Sequence, residues 1–155
     1  MVLQTNQAAI IVKAQLTQEI INDFRWPLAL HAGCLSRGGR ALLLTGQPGA
    51  GKTTLTSWLL GCDFLYHGDD IAMMDRDGKV QGLPFLPTIK SGAWPMTASR
   101  YPGQLQPLVH WRPDRRRVRY LRIAAMNDQK PLPVGWIIKL RRVKGTRAQL
   151  VPQQP

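Results

Sequence analysis

The chain lacks a long apolar run. Its unbroken apolar stretches, such as "AAIIV" at 8–12 and "ALLL" at 41–44, fall far short of the roughly 20 residues a membrane-spanning helix needs. No span is expected. In "MVLQTNQAAIIVKAQ" no basic residue precedes the short apolar centre and no convincing small-residue cleavage site follows it, which argues against a secretory signal. Cysteine is scarce. Cys34 and Cys62 have no C-x-x-C or Cys/His metal spacing around them and read as small apolar residues of a reduced, cytoplasmic protein. Low-complexity tracts and fixed-period repeats are also missing, which sets aside disorder, solenoids and propellers.

Acidic residues are few, 9 against 21 Lys and Arg. Residues 112 to 147 hold twelve of the basic groups and two acidic ones, Asp114 and Asp128, so this segment carries +10 and the remaining chain +2. A basic face of this kind either draws a polyanion or acidic peptide through long-range, salt-sensitive fields or is simply solvated, and the sequence leaves both open. Nucleic-acid binding through it would be unspecific. At 155 residues with 44% apolar content, the chain reads as a single domain, 1–155, with an N-terminal helix or strand over about 1–27 and basic strands over about 112–150.

Local patterns place the elements. Thr17 reads as the N-cap of a short helix over "TQEIINDF", with Glu19 and Asp23 in its early turns. The runs "PLALHAGCL" and "ALLLTG" flank "SRGGR", a Gly-Gly turn that predicts a hairpin. In "KTTLTSWLLG", Leu55, Trp58 and Leu59 fall at helical spacing and Gly61 reads as the C-terminal cap. "DFLYHGDD" alternates into a strand that stops at two aspartates, and the Asp77-Gly78 turn in "IAMMDRDGKVQGL" predicts a second hairpin. Pro84 to Pro107 reads as loops with short strands. "RRVRYLRIA" and "PVGWIIKLRRV" are strand candidates, and the "RRRVR" run alternates charge with Val118 and Tyr120 as an edge strand would. The expected class is α/β: a mixed sheet with several hairpins, because the order of elements departs from strict β-α alternation.

"TGQPGAGKTTL" matches the phosphate-loop pattern G-x-x-x-x-G-K-[ST] through Gly46, Gly51, Lys52 and Thr53. Glycines let backbone N–H groups wrap a phosphate, the following helix N-terminus adds its dipole, Lys52 supplies a mobile cation and the Thr53 hydroxyl suits Mg²⁺. Asp69 and Asp70 follow Lys52 by only seventeen and eighteen residues. Adjacent carboxylates on a strand point to opposite sides, so one can face a metal or an acceptor hydroxyl while the other turns elsewhere. An Asx turn closing the strand is the alternative.

The set "LHAGCL", "GRALLLTGQPGAGKTTL", "FLYHGDDIAMMD" and "LPTIKSGAWP" resembles the HPr kinase/phosphorylase superfamily, in particular its smaller HPr-kinase-related members. The pairing of "GAGKTTL" with "GDD" is similar to that of phosphoenolpyruvate carboxykinase. The resemblance covers roughly residues 28 to 150 and implies a phosphate-loop nucleotide-binding fold of that type. It implies that Gly46, Gln47, Pro48, Gly49, Ala50, Gly51, Lys52, Thr53 and Thr54 hold ATP, that Thr53 and Asp70 serve Mg²⁺, and that Lys52 acts in catalysis. By the same resemblance Asp69 would be the general base toward a seryl hydroxyl, and His31 an active-site histidine on the strand beside the loop strand. A structural histidine remains the alternative there. Lys90 matches a lysine recurrent in the smaller relatives, and a solvated loop lysine is equally open. His67 reads as a plain strand position. The bifunctional HPr enzymes carry a Glu-x-Arg-Gly signature after the second hairpin, and this chain has no Glu after Glu19, which counts against the phosphorylase reaction and against HPr itself as acceptor. Relatives continue into further helix where this sequence ends at "LVPQQP", so a shortened copy is one reading, and HPr-type kinases assemble into rings.

The expected function is therefore ATP-dependent transfer of the γ-phosphoryl group to a hydroxyl, a serine of a protein or peptide. The alternatives are a catalytically weak nucleotide-binding protein that docks a partner, and a small-molecule kinase. The last would need an arginine-bearing lid, for which only Arg100 stands between Pro84 and Pro107.

Overall fold

The computed structural model describes residues 5–22, 26–123, 130–143 and 145–152. Asp23 and Phe24 of the expected first helix, Ala124 of an expected strand, and Asp128 and Lys144 of the basic segment lie outside them.

Among the described residues the protein is mixed α/β. A seven-stranded sheet has the order β1 (Leu28–Leu30), β5 (Ala72–Met74), β6 (Lys79–Gly82), β10 (Leu132–Leu140), β3 (Arg40–Gly46), β2 (Gly33–Arg37), β4 (Leu65–Gly68). A second sheet of three strands runs β7 (Thr88–Lys90), β9 (Arg117–Tyr120), β8 (His110–Trp111). The helices are α1 (Thr5–Ile21), α2 (Lys52–Leu59) and α3 (Trp94–Arg100).

Both expected hairpins form. Gly38 and Gly39, at φ 57° and 73°, close β2 on β3 in the left-handed conformation that glycine adopts without steric cost. Asp75 accepts from the Asp77 and Lys79 amides and Gly78 turns at φ 74°, closing β5 on β6. The pairing of β10 with β3 is the one parallel pairing among these strands. β10 reaches β6 only through Leu132 and Pro133, then slips register between Val134 and Trp136. At that slip a Cβ on Gly135 would lie 2.8 Å from the Arg40 Cβ, so the bulge depends on the missing side chain.

Alternation along β3 divides the core. Ala41 and Leu43 join Cys34, Ala72 and Val80 on one face, while Leu42 and Leu44 join Leu35 and Tyr66 on the other, which Leu55 and Leu59 of α2 cover. Cys34 is buried, and burial pushes its thiol up to about 12. Cys62 is exposed.

Several expectations are corrected. Helix α1 begins twelve residues before Thr17, whose hydroxyl donates to the Lys13 carbonyl at 2.7 Å within the helix rather than capping it. Ala8 and Ala9, with Gln7 and Gln15, favour helix over the β-branched signal of Ile10 to Val12. Helix α2 is capped by Leu60 in right-handed conformation, and the left-handed residue beyond is Asp63 at φ 61°. Gly61 instead admits the Arg100 guanidinium, which lies 5.2 Å from the exposed Trp58 ring, so Arg100 packs α3 on α2. The expected loop region contains α3, started by Pro95, whose absent N–H is harmless in a first turn. β9 is central, not an edge: Val118 and Tyr120 are buried as the alternation implied, but period two reports faces and says nothing about position in a sheet.

Candidate functional site

β3 delivers the glycine-rich loop. Gly46, Gly49 and Gly51 take φ of 142°, 89° and 103°, and the Ala50 amide donates to the Gln47 carbonyl at 3.0 Å. Gly51 is the N-cap of α2 and offers no side chain to cap the first turn, which Lys52, Thr53 and Thr54 begin. Lys52 folds back across the loop, buried, its Nζ donating to the Gly46 carbonyl at 2.8 Å. Gln47, Pro48 and Gly49 are exposed at the tip, and Thr53 and Thr54 are half-buried in the first turn. Together these residues form an anion cradle of backbone amides with one cation folded over it.

Asp69 stands at the flank of that cradle. β3, α2 and β4 form a crossover in which β3 and β4 run the same way, but β2 lies between them, so the carboxylates do not come from a strand neighbouring the loop strand as a single short βαβ step would have it. Gly33, the first residue of β2, makes the approach possible. A Cβ there would lie 2.5 Å from Thr56 Oγ1 and 3.8 Å from Asp69 Oδ1. Asp69 is 2% exposed, and neither of its oxygens, nor Thr56 Oγ1, completes a hydrogen bond. Burial pushes its pKa up to about 7, helped by the Asp70 carboxylate; the Thr53 and Thr56 hydroxyls beside it and the Lys13 ammonium oppose the rise. Those hydroxyls are near enough to be felt but fall short of hydrogen-bond geometry. An unsatisfied buried carboxylate costs stability, and it marks a place where a cation or a proton donor would be welcome.

Asp70, like Asp69 just past the end of β4, faces elsewhere. It forms an ion pair with Lys13 of α1, whose Nζ also donates to Thr88 Oγ1 of β7 at 3.3 Å and lies 5.6 Å from the Phe85 ring centroid. His31 is exposed on the link between β1 and β2, outside the strand expected to carry it. Partial burial lowers its pKa, with the Lys52, Lys90 and Arg112 charges acting the same way and Asp70 against. Lys90, half-buried on β7, is lowered by burial, then by Arg116 and Arg112, with Lys52 adding to the effect. His67 is a sheet residue: its Nε2 lies 2.7 Å from Ser36 Oγ in the interior.

Thus Thr53 and Asp69 lie side by side, with Asp70 in electrostatic reach of Asp69, while Lys52 is turned to the Gly46 carbonyl and is felt at His31. Sequence reasoning missed Gly33, Thr56, Lys13, Arg112 and Arg116. Thr56 and Gly33 carry no motif of their own, and Lys13 lies in a helix whose register was not legible. Among the described residues no group of three or more His, Cys, Asp or Glu side chains gathers to hold a metal. A divalent cation here would therefore take the Thr53 hydroxyl, a carboxylate and phosphate oxygens as ligands, the hard-oxygen set that Mg²⁺ prefers. No helix among them is long and apolar enough to cross a membrane. No protein-family model and no curated protein matches the chain.

Proposed function

We propose that the protein binds Mg·ATP at the Gly46–Thr53 loop and transfers the γ-phosphoryl group to a hydroxyl, that of a serine in a protein or peptide, as the resemblance to HPr-type kinases implies. The observation that carries this reading is Asp69: fully buried, without a partner, and set beside Thr53 at the loop. The cradle fits a phosphate chain in having no side-chain cap on the first turn of α2 and glycine at each left-handed position of the loop.

When bound, Mg·ATP supplies the phosphoryl group and a metal that spreads its charge. The remaining work belongs to the chain. Lys52 exchanges the Gly46 carbonyl for phosphate oxygens and neutralises charge on the group in transfer. Asp69, with a pKa near the working pH, takes the proton of the acceptor hydroxyl as its oxygen attacks phosphorus and the bond to the leaving ADP oxygen breaks. Asp70 is held in place by Lys13. A cytoplasmic setting, with ATP present and both thiols reduced, belongs to this reading.

Transfer of label from γ-labelled ATP to serine peptides tests it. Wild type should transfer, and Asp69→Asn should lose activity while still binding Mg·ATP; equal transfer by the two would remove Asp69 as the base. A second reading, nucleotide binding with little turnover in a protein that docks a partner, is favoured by the engagement of Asp70 by Lys13, which leaves one free carboxylate at the loop. Tight Mg·ATP binding without transfer to any acceptor would select it.

A further inference from the structure

Across from the loop, the small sheet carries cations that the phosphate cradle does not need. Thr88 and Lys90 share one face of β7 by strand alternation, and Thr88 is tied through Lys13 to Asp70, so that face looks toward the site. Lys90 pairs in register with Val118 of β9, and β9 continues backward into the turn that joins it to β8. That turn is tightly built. The Arg112 amide donates to the Arg116 carbonyl at 3.0 Å, the Arg115 amide donates to the Arg112 carbonyl at 2.9 Å, and Arg115 takes φ 60°. Asp114 spreads its two oxygens between the guanidinia, 3.4 Å from Arg112 Nε and 3.6 Å from Arg116 Nε. β7 packs on α2 and β8 on α1, which fixes the hairpin relative to the loop.

We propose that Arg112, Arg116 and Lys90, with His31 at their edge, form a second anion site that receives acidic side chains flanking the target hydroxyl of a peptide acceptor. This rests on the kinase reading above and names its substrate class. The loop amides, Lys52 and a metal already answer the charge of a triphosphate, so the cations opposite them are in surplus. Asp114 is shared by two arginines and Asp70 is held by Lys13. Burial lowers the Lys90 pKa first, and Arg116, Arg112 and Lys52 add to that against Asp114, so the neighbouring cations are felt in the free protein. Carboxylates of a bound peptide would relieve that repulsion and satisfy planar guanidinia in forked geometry.

The probes are two fluorescein-labelled serine peptides, one flanked by Glu and one by Gln at the same positions. Binding is followed by anisotropy at physiological salt to the protein loaded with Mg and a non-hydrolysable ATP analogue, and analogue affinity is measured by calorimetry. Wild type should bind the Glu peptide about tenfold more tightly than the Gln peptide, and Arg112→Gln/Arg116→Gln should abolish that preference without changing analogue affinity. As a control of equal charge, Arg141→Gln/Arg142→Gln should leave the preference intact. Equal binding of the two peptides by wild type overturns the proposal. So does an equal loss in the control, which would make the preference a general field of the basic chain, and so does weakened analogue binding in the hairpin variant with the peptide preference retained, which would assign the arginines to the nucleotide. If wild type fails to bind the analogue, the kinase reading falls, and the peptide comparison on the free protein still reports on the hairpin.

Discussion

His67 and Asp69 lie two residues apart and are equally buried, at 1% and 2% exposure, yet their surroundings are opposite. His67 sits within β4, where Ser36 of the neighbouring strand meets its Nε2. Asp69 sits just past the end of β4, where β2 offers only Gly33 and α2 offers hydroxyls that stop short of it. The interior of β4 satisfies its polar side chain, as stable folds do. The end facing the glycine-rich loop does not: Asp69 has no hydrogen-bond partner, and the N-cap of α2 offers no side chain to its first turn. That contrast, more than any single motif residue, is what supports the proposal that the loop end of the sheet carries the chemistry.

The largest expected effect tests the unsatisfied side directly. Burial raises the Asp69 pKa from 3.8 to about 7, so the folded protein holds this proton more tightly than the unfolded chain does. A raised carboxylate pKa contributes stability that is present below the unfolded value and lost as pH rises through the folded one. Between pH 4 and 8, nucleotide-free wild type should therefore lose up to ~4 kcal/mol that Asp69→Asn does not lose. Denaturant melts of both proteins across that range check it, and parallel curves would mean that Asp69 is already ionised and partnered. Next in size is Lys52→Met, which should reduce phosphoryl transfer by on the order of 10²-fold or more while leaving the melting temperature near wild type. A loss under about threefold would show that the loop does not handle the reacting phosphate.

On the satisfied side the effects should fall on stability alone. Ser36→Ala leaves His67 Nε2 buried without its partner and should destabilise by about 1–3 kcal/mol, with Mg·ATP affinity unchanged. At the boundary between the two regions, Gly33→Ala forces a Cβ against Thr56 Oγ1 and should cost about 1–3 kcal/mol. Adding Thr56→Ala removes both the clash and a hydroxyl that has no partner, so the double variant should be more stable than the sum of the single changes allows. Additive losses in equilibrium unfolding would show that Gly33 matters for some other reason.

What the sequence made legible follows from the range of each interaction. The hairpins at Gly38-Gly39 and Asp77-Gly78 are set by two residues that must turn, and the loop from Gly46 to Thr53 by glycines whose conformations are local. The parallel pairing of β10 with β3 joins residues about ninety positions apart, and no local pattern announces it. The same distance hides the site's surroundings. Lys13 reaches Asp70 across fifty-seven residues of chain, and Arg112 and Arg116 were visible only as part of a basic run whose register against Lys90 depends on the β7 to β9 pairing. Gly33 was read only as part of a hairpin arm, because its importance lies in what it lets two other elements do.

The smallest effect concerns the contact that ties the two regions to α1. Asp70 is 43% exposed at its side chain and paired with Lys13, so solvent weakens the pair, and Lys13→Met should change stability by less than about 1 kcal/mol. Its effect on the site should be larger than its effect on the fold. Removing the ammonium leaves Asp70 without its counter-charge next to Asp69, and the Lys13 charge is one of the forces that lower the Asp69 pKa. Two adjacent carboxylates without that cation attract Mg²⁺ more strongly and hold a proton at Asp69 to higher pH. The variant should thus show tighter Mg²⁺ dependence of ATP binding and an upward shift in the pH range over which the Asp69-linked loss of stability occurs. Should neither move, Lys13 serves only to fasten α1 and β7 together through Asp70 and Thr88, and the division between a satisfied interior and an open loop end does not extend to the helix.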